Sequence, residues 1–156
     1  MQKIRGIEFN REDYFEIKEE IKPLLEEHWE EIALNKDKIK LNPDWDLYRK
    51  IYEDGSLGIY TAREDGQLVG YFVVIVTPNI HYKDHLFATN DIIFLRKDHR
   101  KGRTGINLIK FAEDDLKKFN VSVMVINVKT HKPFDRVLEW LGFKKIEHNF
   151  SKYIGD

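Results

Sequence analysis

Cysteine is absent from the 156 residues. That removes disulfides, thiolate metal sites and a Cys nucleophile, and it suits a cytoplasmic setting. No run approaches the ~20 apolar residues of a membrane span. The first stretch, MQKIRGIEFNREDYFEIKEE, also lacks the apolar core of a secretory leader, so neither membrane nor export is expected. Prolines number four, and no Pro/Gly/Ser-rich linker, repeat or low-complexity tract divides the chain. A single domain over residues 1–156 follows, since the length is too short for two comfortable cores. The six histidines show no metal-ligand spacing, so no metal is expected. Net charge is close to absent, at −1. Without an aromatic-rich basic stripe, that argues against nucleic acid as a partner.

What is present is a soluble-protein balance of 42% apolar and 34% charged residues, unevenly spread. Residues 1–50 carry 10 Lys/Arg and 13 Asp/Glu, whereas residues 97–156 carry 13 and 8. An anionic ligand is therefore expected in the C-terminal half. Residues 11–35 place Tyr14, Ile17, Ile21, Leu24, His28 and Ile32 at helical spacing. Pro23 predicts a kink there, or two short helices. A short helix is expected over Trp45 to Tyr52. Two β-rich runs then flank Glu64-Asp65-Gly66-Gln67, a hairpin signal of Asp-Gly type. The second run, Leu68 to Val76, is apolar on both faces and reads as central. Further strands are predicted over Leu86–Leu95 and Val121–Val128, helices over 105–119 and 133–141, and a last strand within FKKIEHNFSKYI. The order implies an α/β or α+β fold with a mixed sheet.

Between the strand ending at Leu95 and the next helix lies DHRKGRTGINL. A helix that starts directly after a strand aims unpaired N–H groups and a partial positive charge at the loop. Gly102 and Gly105 leave that backbone approachable, and Arg100, Lys101 and Arg103 add formal charge. Such a corner suits phosphate or diphosphate. Neither a Walker loop nor the dinucleotide fingerprint is matched.

The segment Arg100-Lys101-Gly102-Arg103-Thr104-Gly105 resembles the coenzyme A corner of the GNAT acyltransferase superfamily, R/Q-x-x-G-x-G/A, with Arg103 at the usual middle glycine. The element order over residues 10–155 and the late VLEWLGF are similar to that superfamily as well. HWEE, HYKDHLFATND, LRKDHRKGRTG and SKY look like small bacteriophage-encoded members, for which the setting would be the host cytoplasm. The resemblance implies a mixed, mostly antiparallel sheet with splayed parallel strands, flanked by helices. It implies acetyl-CoA as co-substrate and transfer of acetyl to a primary amine, on a small molecule or a protein. Dimers are frequent in the family, which leaves a homodimer open.

By the same resemblance, Leu95 and Arg96 contact the pantetheine arm, and the backbone from Lys101 through Gly102, Arg103 and Thr104 to Gly105 binds the diphosphate beside Arg100. Asp91 and Thr89, on one face with Ile93 by strand alternation, are the candidates for general base. Where the family commonly has a Tyr acid, five residues before Phe143, stands Leu138; where it often has Asn stands His131. Tyr153 is the substitute acid. His81, Tyr82 and His85 are expected in a loop bordering the acceptor. His28 and Glu31, within EEHWEE, are candidates for attracting a cationic amine, against the plainer reading of a solvated acidic face with Trp29 docked inward. Two functions remain open: an N-acyltransferase, or a catalytically degenerate binding protein on the same scaffold.

Overall fold

The computed structural model describes residues 1–155. It opens with a hairpin, β1 (Gln2–Ile4) and β2 (Ile7–Arg11), turning at Arg5-Gly6 with both φ angles positive. Helix α1 (Tyr14–Ile32) begins where the Asp13 side chain accepts from the Phe15 N–H at 2.8 Å. It is one continuous helix, not two. Pro23 sits on its exposed side, where water can satisfy the carbonyl that lost its donor. Helix α2 (Trp45–Glu53) is capped by Asp44 in the same manner, accepting from Leu47 N–H at 2.9 Å.

Strands β3 (Leu57–Glu64) and β4 (Gln67–Asn79) form the expected hairpin, with Asp65 and Gly66 both at positive φ as a type I′ turn requires. Strand β5 (Tyr82–Leu95) follows, then a single 3-10 turn at Lys97–His99, helix α3 (Thr104–Lys118), strand β6 (Val121–Val125) and helix α4 (Asp135–Trp140). The six strands lie in sequence order in one sheet, antiparallel throughout except for the parallel β5–β6 pair. This is the mixed, mostly antiparallel architecture expected from the sequence.

Each face of the sheet carries its own core. On one side, Tyr14, Ile17, Ile21, Leu24 and His28 of α1 pack with Ile59, Tyr71, Val73 and Phe94. On the other, Leu108, Ile109, Ala112 and Leu116 of α3 cover Phe9, Tyr60, Phe72 and Val74. Burying each of these large side chains contributes about 1.5–3 kcal/mol. No helix among the described residues is long and apolar enough to cross a membrane.

Two predicted elements differ. The strand expected over 121–128 stops at Val125, where it parts from β5. The last strand does not form: among the described residues none after Trp140 lies in a strand or helix. Ile146, Phe150 and Ile154 share one face of an extended chain, but His148 and Lys152 alternate with them on it. No continuous apolar face exists to bury, and those three residues stay 74%, 95% and 87% exposed.

Candidate active site

Strands β5 and β6 are paired only over Leu86↔Val121, Phe87↔Val123, Ala88↔Met124 and Thr89↔Val125. Beyond Thr89 they part. The amide of Asn127 instead donates to the Asn90 side-chain oxygen at 2.7 Å, so a side chain spans the mouth of the gap. From Asn90 to Leu95, the β6-facing edge of β5 has no strand partner.

A bulge interrupts β5 at its centre. Val74 pairs with Asn90 and Val73 with Ile92, which leaves Asp91 as the extra residue. The bulge breaks the simple alternation. Thr89 pairs with Ile75 on the α1/α2 side, whereas Ile93 pairs with Phe72 on the α3 side. Thr89 and Ile93 therefore face opposite sides of the sheet, so the three residues do not share one face. Instead Asp91 accepts a short hydrogen bond from the Tyr48 hydroxyl of α2. Surrounding protein raises the Asp91 pKa above the ordinary carboxylate range, and the Tyr48 bond works against that rise. Tyr48 itself is pushed well above a free phenol, first by burial and then by the bond to Asp91.

At the end of β5 the chain turns through the basic corner. Gly102 sits at φ +94°, a conformation side chains rarely adopt, so this position calls for glycine. Gly105 has only the Leu95 side chain near its missing Cβ, at 3.9 Å. Helix α3 has no side-chain N-cap and no acidic residue in its first turn, unlike α1 and α2. Its first bond runs from Asn107 N–H to the Arg103 carbonyl at 2.8 Å, so the preceding amides have no intrahelical acceptor. Lys101 and Arg103 are exposed beside them, Arg103 lying over Trp140 at 4.9 Å.

Arg100 faces the other way, toward Glu31 and the Leu95 carbonyl. Arg96 donates its backbone N–H to Val69 at 2.9 Å, and its side chain reaches Glu27 at 3.7 Å. His99 bonds Asp98 and Glu64 at 2.9 and 3.1 Å, tying the corner to β3. An open groove of about 990 Å³ runs between α1 and this corner, walled by Glu26, Glu27, Glu30, Leu41, Phe94 and Lys97. Asp91 does not line it.

The remaining sequence candidates divide. His28 is interior, 7% exposed, stacked on Phe94 and hydrogen-bonded to the Tyr71 hydroxyl at 2.9 Å. It is His28, not Trp29, that α1 docks inward. His81, Tyr82 and His85 lie at the far end of the β4–β5 hairpin, because β5 starts at Tyr82 rather than Leu86. His85 bonds Ser122 at 2.9 Å, and Tyr82 stacks on Phe87. At ~3.3 Å per residue these positions stand roughly 20–30 Å along the strand from Asp91. Tyr153 lies under Lys38, 4.6 Å from ring centroid to ammonium, and His131 reaches the Ile32 carbonyl at 3.1 Å. Leu138 is buried in the α3-side core. Tyr48 and Asn90 were not foreseen. Asn90 carried a signal, a polar residue on an apolar strand beside Asp91; Tyr48 carried none beyond its place on an amphipathic helix.

Residues 13–143 match the Acetyltransferase (GNAT) family. The chain belongs to that family. Solved structures of the same fold include an aminoglycoside acetyltransferase from an uncultured soil metagenomic sample, 16% identical with a TM-score of 0.75, covering 96% of this chain and 99% of that one. A ribosomal-protein-alanine N-acetyltransferase from Brucella melitensis biovar Abortus 2308 is 20% identical, with a TM-score of 0.65 and coverage of 96% and 98%. A predicted acetyltransferase from Clostridium acetobutylicum, solved with acetyl-CoA, is 12% identical, with a TM-score of 0.70 and coverage of 94% and 96%. At such identities the GNAT neighbours speak for the fold alone, and an aminoglycoside and a ribosomal protein are already two different acceptors. No curated protein sequence matches the chain.

Proposed function

We propose that this GNAT protein transfers an acetyl group from acetyl-CoA to a primary amine by direct attack. One observation carries the reading: the gap between β5 and β6 ends at an uncapped helix N-terminus with basic residues around it. The diphosphate is assigned to the amides of Lys101 to Gly105, with Lys101 and Arg103 supplying charge. The pantetheine arm is assigned to the open edge of Asn90–Leu95.

In the reaction the amine nitrogen bonds to the thioester carbonyl carbon as the C–S bond breaks. An alkyl ammonium has a pKa of about 10, so a proton must first leave. Asp91 is the assigned acceptor of that proton, directly or through water, with Tyr48 fixing its orientation. The CoA thiolate takes a proton from solvent or from Tyr153. With no cysteine in the chain, no thioester forms on the protein. A cationic amine is the acceptor class assigned, drawn in by Glu26, Glu27 and Glu30 along the α1 wall of the groove; Asp91 lies outside that groove, so the amine passes beyond it to react.

Calorimetry with acetyl-CoA tests the donor assignment; no binding at millimolar concentration rejects it. Labelled acetyl-CoA with a panel of polyamines, aminosugars, amino acids and peptides then tests transfer. Asp91→Asn is expected to lower kcat/KM on the best acceptor about 10²–10⁴-fold. Tyr48→Phe removes the bond that holds the Asp91 pKa down, so the acidic limb of kcat/KM should move to higher pH. A second reading, a GNAT-fold binding protein without chemistry, is favoured by Leu138, an apolar core residue where the family commonly supplies a Tyr acid. Turnover that falls in Asp91→Asn counts against it.

A further inference from the structure

Arg100 opens the glycine corner, and its charge invites assignment to the phosphates. Its donors are turned elsewhere. Nε donates to the Leu95 carbonyl at 2.6 Å, while Nη1 and Nη2 donate to the two Glu31 oxygens at 2.5 and 2.6 Å. The guanidinium lies over Phe94, 5.4 Å from its centroid, and Phe94 stacks on buried His28. The Glu31 side chain is 10% exposed, and the Arg100 bond holds its carboxyl below the ordinary range. A two-pronged guanidinium–carboxylate pair fixes orientation as well as charge. This one joins the corner to the last turn of α1.

We propose that Glu31 and Arg100 form a positioning latch, through which a carboxylate on α1 sets the acetyl-CoA affinity of a corner whose phosphate-binding amides belong to α3. Arg100 holds the Leu95 carbonyl, and with it the path of residues 96–103 into the helix. The proposal rests on the reading above that this corner takes the diphosphate.

The sign of the effect separates a latch from a charge. Coulomb attraction alone predicts that removing a carboxylate beside a polyanion's site tightens binding, and it would also release Arg100 as an extra cation. A latch predicts the reverse. Acetyl-CoA binding by calorimetry is measured on wild type, Glu31→Gln, Arg100→Lys and the double variant, with amide hydrogen exchange of residues 95–105 followed on ligand-free protein. Each single substitution is expected to weaken binding about tenfold, and the double variant to be no worse than either alone. Corner amides should exchange about tenfold faster while the centre of α3 is unchanged. Arg100→Lys keeps the charge but loses the fork, so its failure to restore affinity separates positioning from charge.

Binding by Glu31→Gln at or above wild-type affinity overturns the latch, as do additive effects or unchanged corner exchange. If wild type binds no acetyl-CoA, the donor assignment falls and the latch with it; wild-type binding with unaltered affinity in Glu31→Gln overturns the latch alone. Should Glu31→Gln fail to fold, Arg100→Lys decides the question by the same two readouts.

Discussion

Burial holds His28 neutral: its pKa drops to about 4, with Glu31 pulling it up and Arg100 pushing it down by smaller amounts. In the unfolded chain the same ring titrates near 6.5. Between those values the unfolded state binds a proton that the folded state refuses, so stability is fully present above pH ~6.5 and falls as the pH drops toward 4. The full loss is about 3 kcal/mol. Urea melts at pH 7 and pH 4.5 should differ accordingly, and His28→Gln should flatten much of that difference. An equal slope in the variant would assign the pH dependence to other groups. The helical stripe through Tyr14, Ile17, Ile21 and Leu24 includes position 28 by spacing, yet the acidic EEHWEE around it reads more plainly with Trp29 inward, and the structure reverses that. Asp91 was legible as a carboxylate on an apolar strand. Its partner Tyr48 was not, because their contact joins residues 43 positions apart on different elements.

Helices and the β3–β4 hairpin were readable to within a few residues, because 3.6-residue periodicity and an Asp-Gly turn are local signals. The bulge at Asp91 and the parting of β5 from β6 were not, since both depend on register between strands. The close approach of β4 to β5 near the corner is a further such feature. A Cβ on Gly70 would stand 2.6 Å from Leu95 Cδ1 and 2.9 Å from the Phe94 carbonyl oxygen. The leucine tip can swing aside, but the carbonyl belongs to the neighbouring strand and moves only with it. Gly70→Ala should therefore destabilise the fold by about 1–3 kcal/mol and, by displacing Leu95, weaken acetyl-CoA binding. Thermal melts and calorimetry on the variant check both effects; a wild-type Tm would mean that the strands part without strain.

Near-neutral net charge conceals a divided molecule. Acidic residues outnumber basic ones in residues 1–50, and the balance reverses in residues 97–156. In the fold, Glu26, Glu27 and Glu30 of α1 line the open groove, whereas Lys101 and Arg103 are exposed just ahead of α3, outside that lining. A polyanionic donor and a cationic acceptor would each meet the opposite charge on a protein with almost none overall. Because the Lys101 and Arg103 side chains are exposed, their attraction is open to screening, with a Debye length of about 10 Å at 0.1 M salt falling to ~3 Å at 1 M. The backbone amides at α3 are less affected, since they act at hydrogen-bond range. Raising NaCl from 50 mM to 500 mM should weaken acetyl-CoA binding about tenfold without abolishing it, and Lys101→Glu with Arg103→Glu should remove most of that salt dependence. Calorimetry at the two salt concentrations measures it. A wild-type affinity indifferent to salt would leave the amides as the whole of the phosphate site and make the basic residues around them incidental.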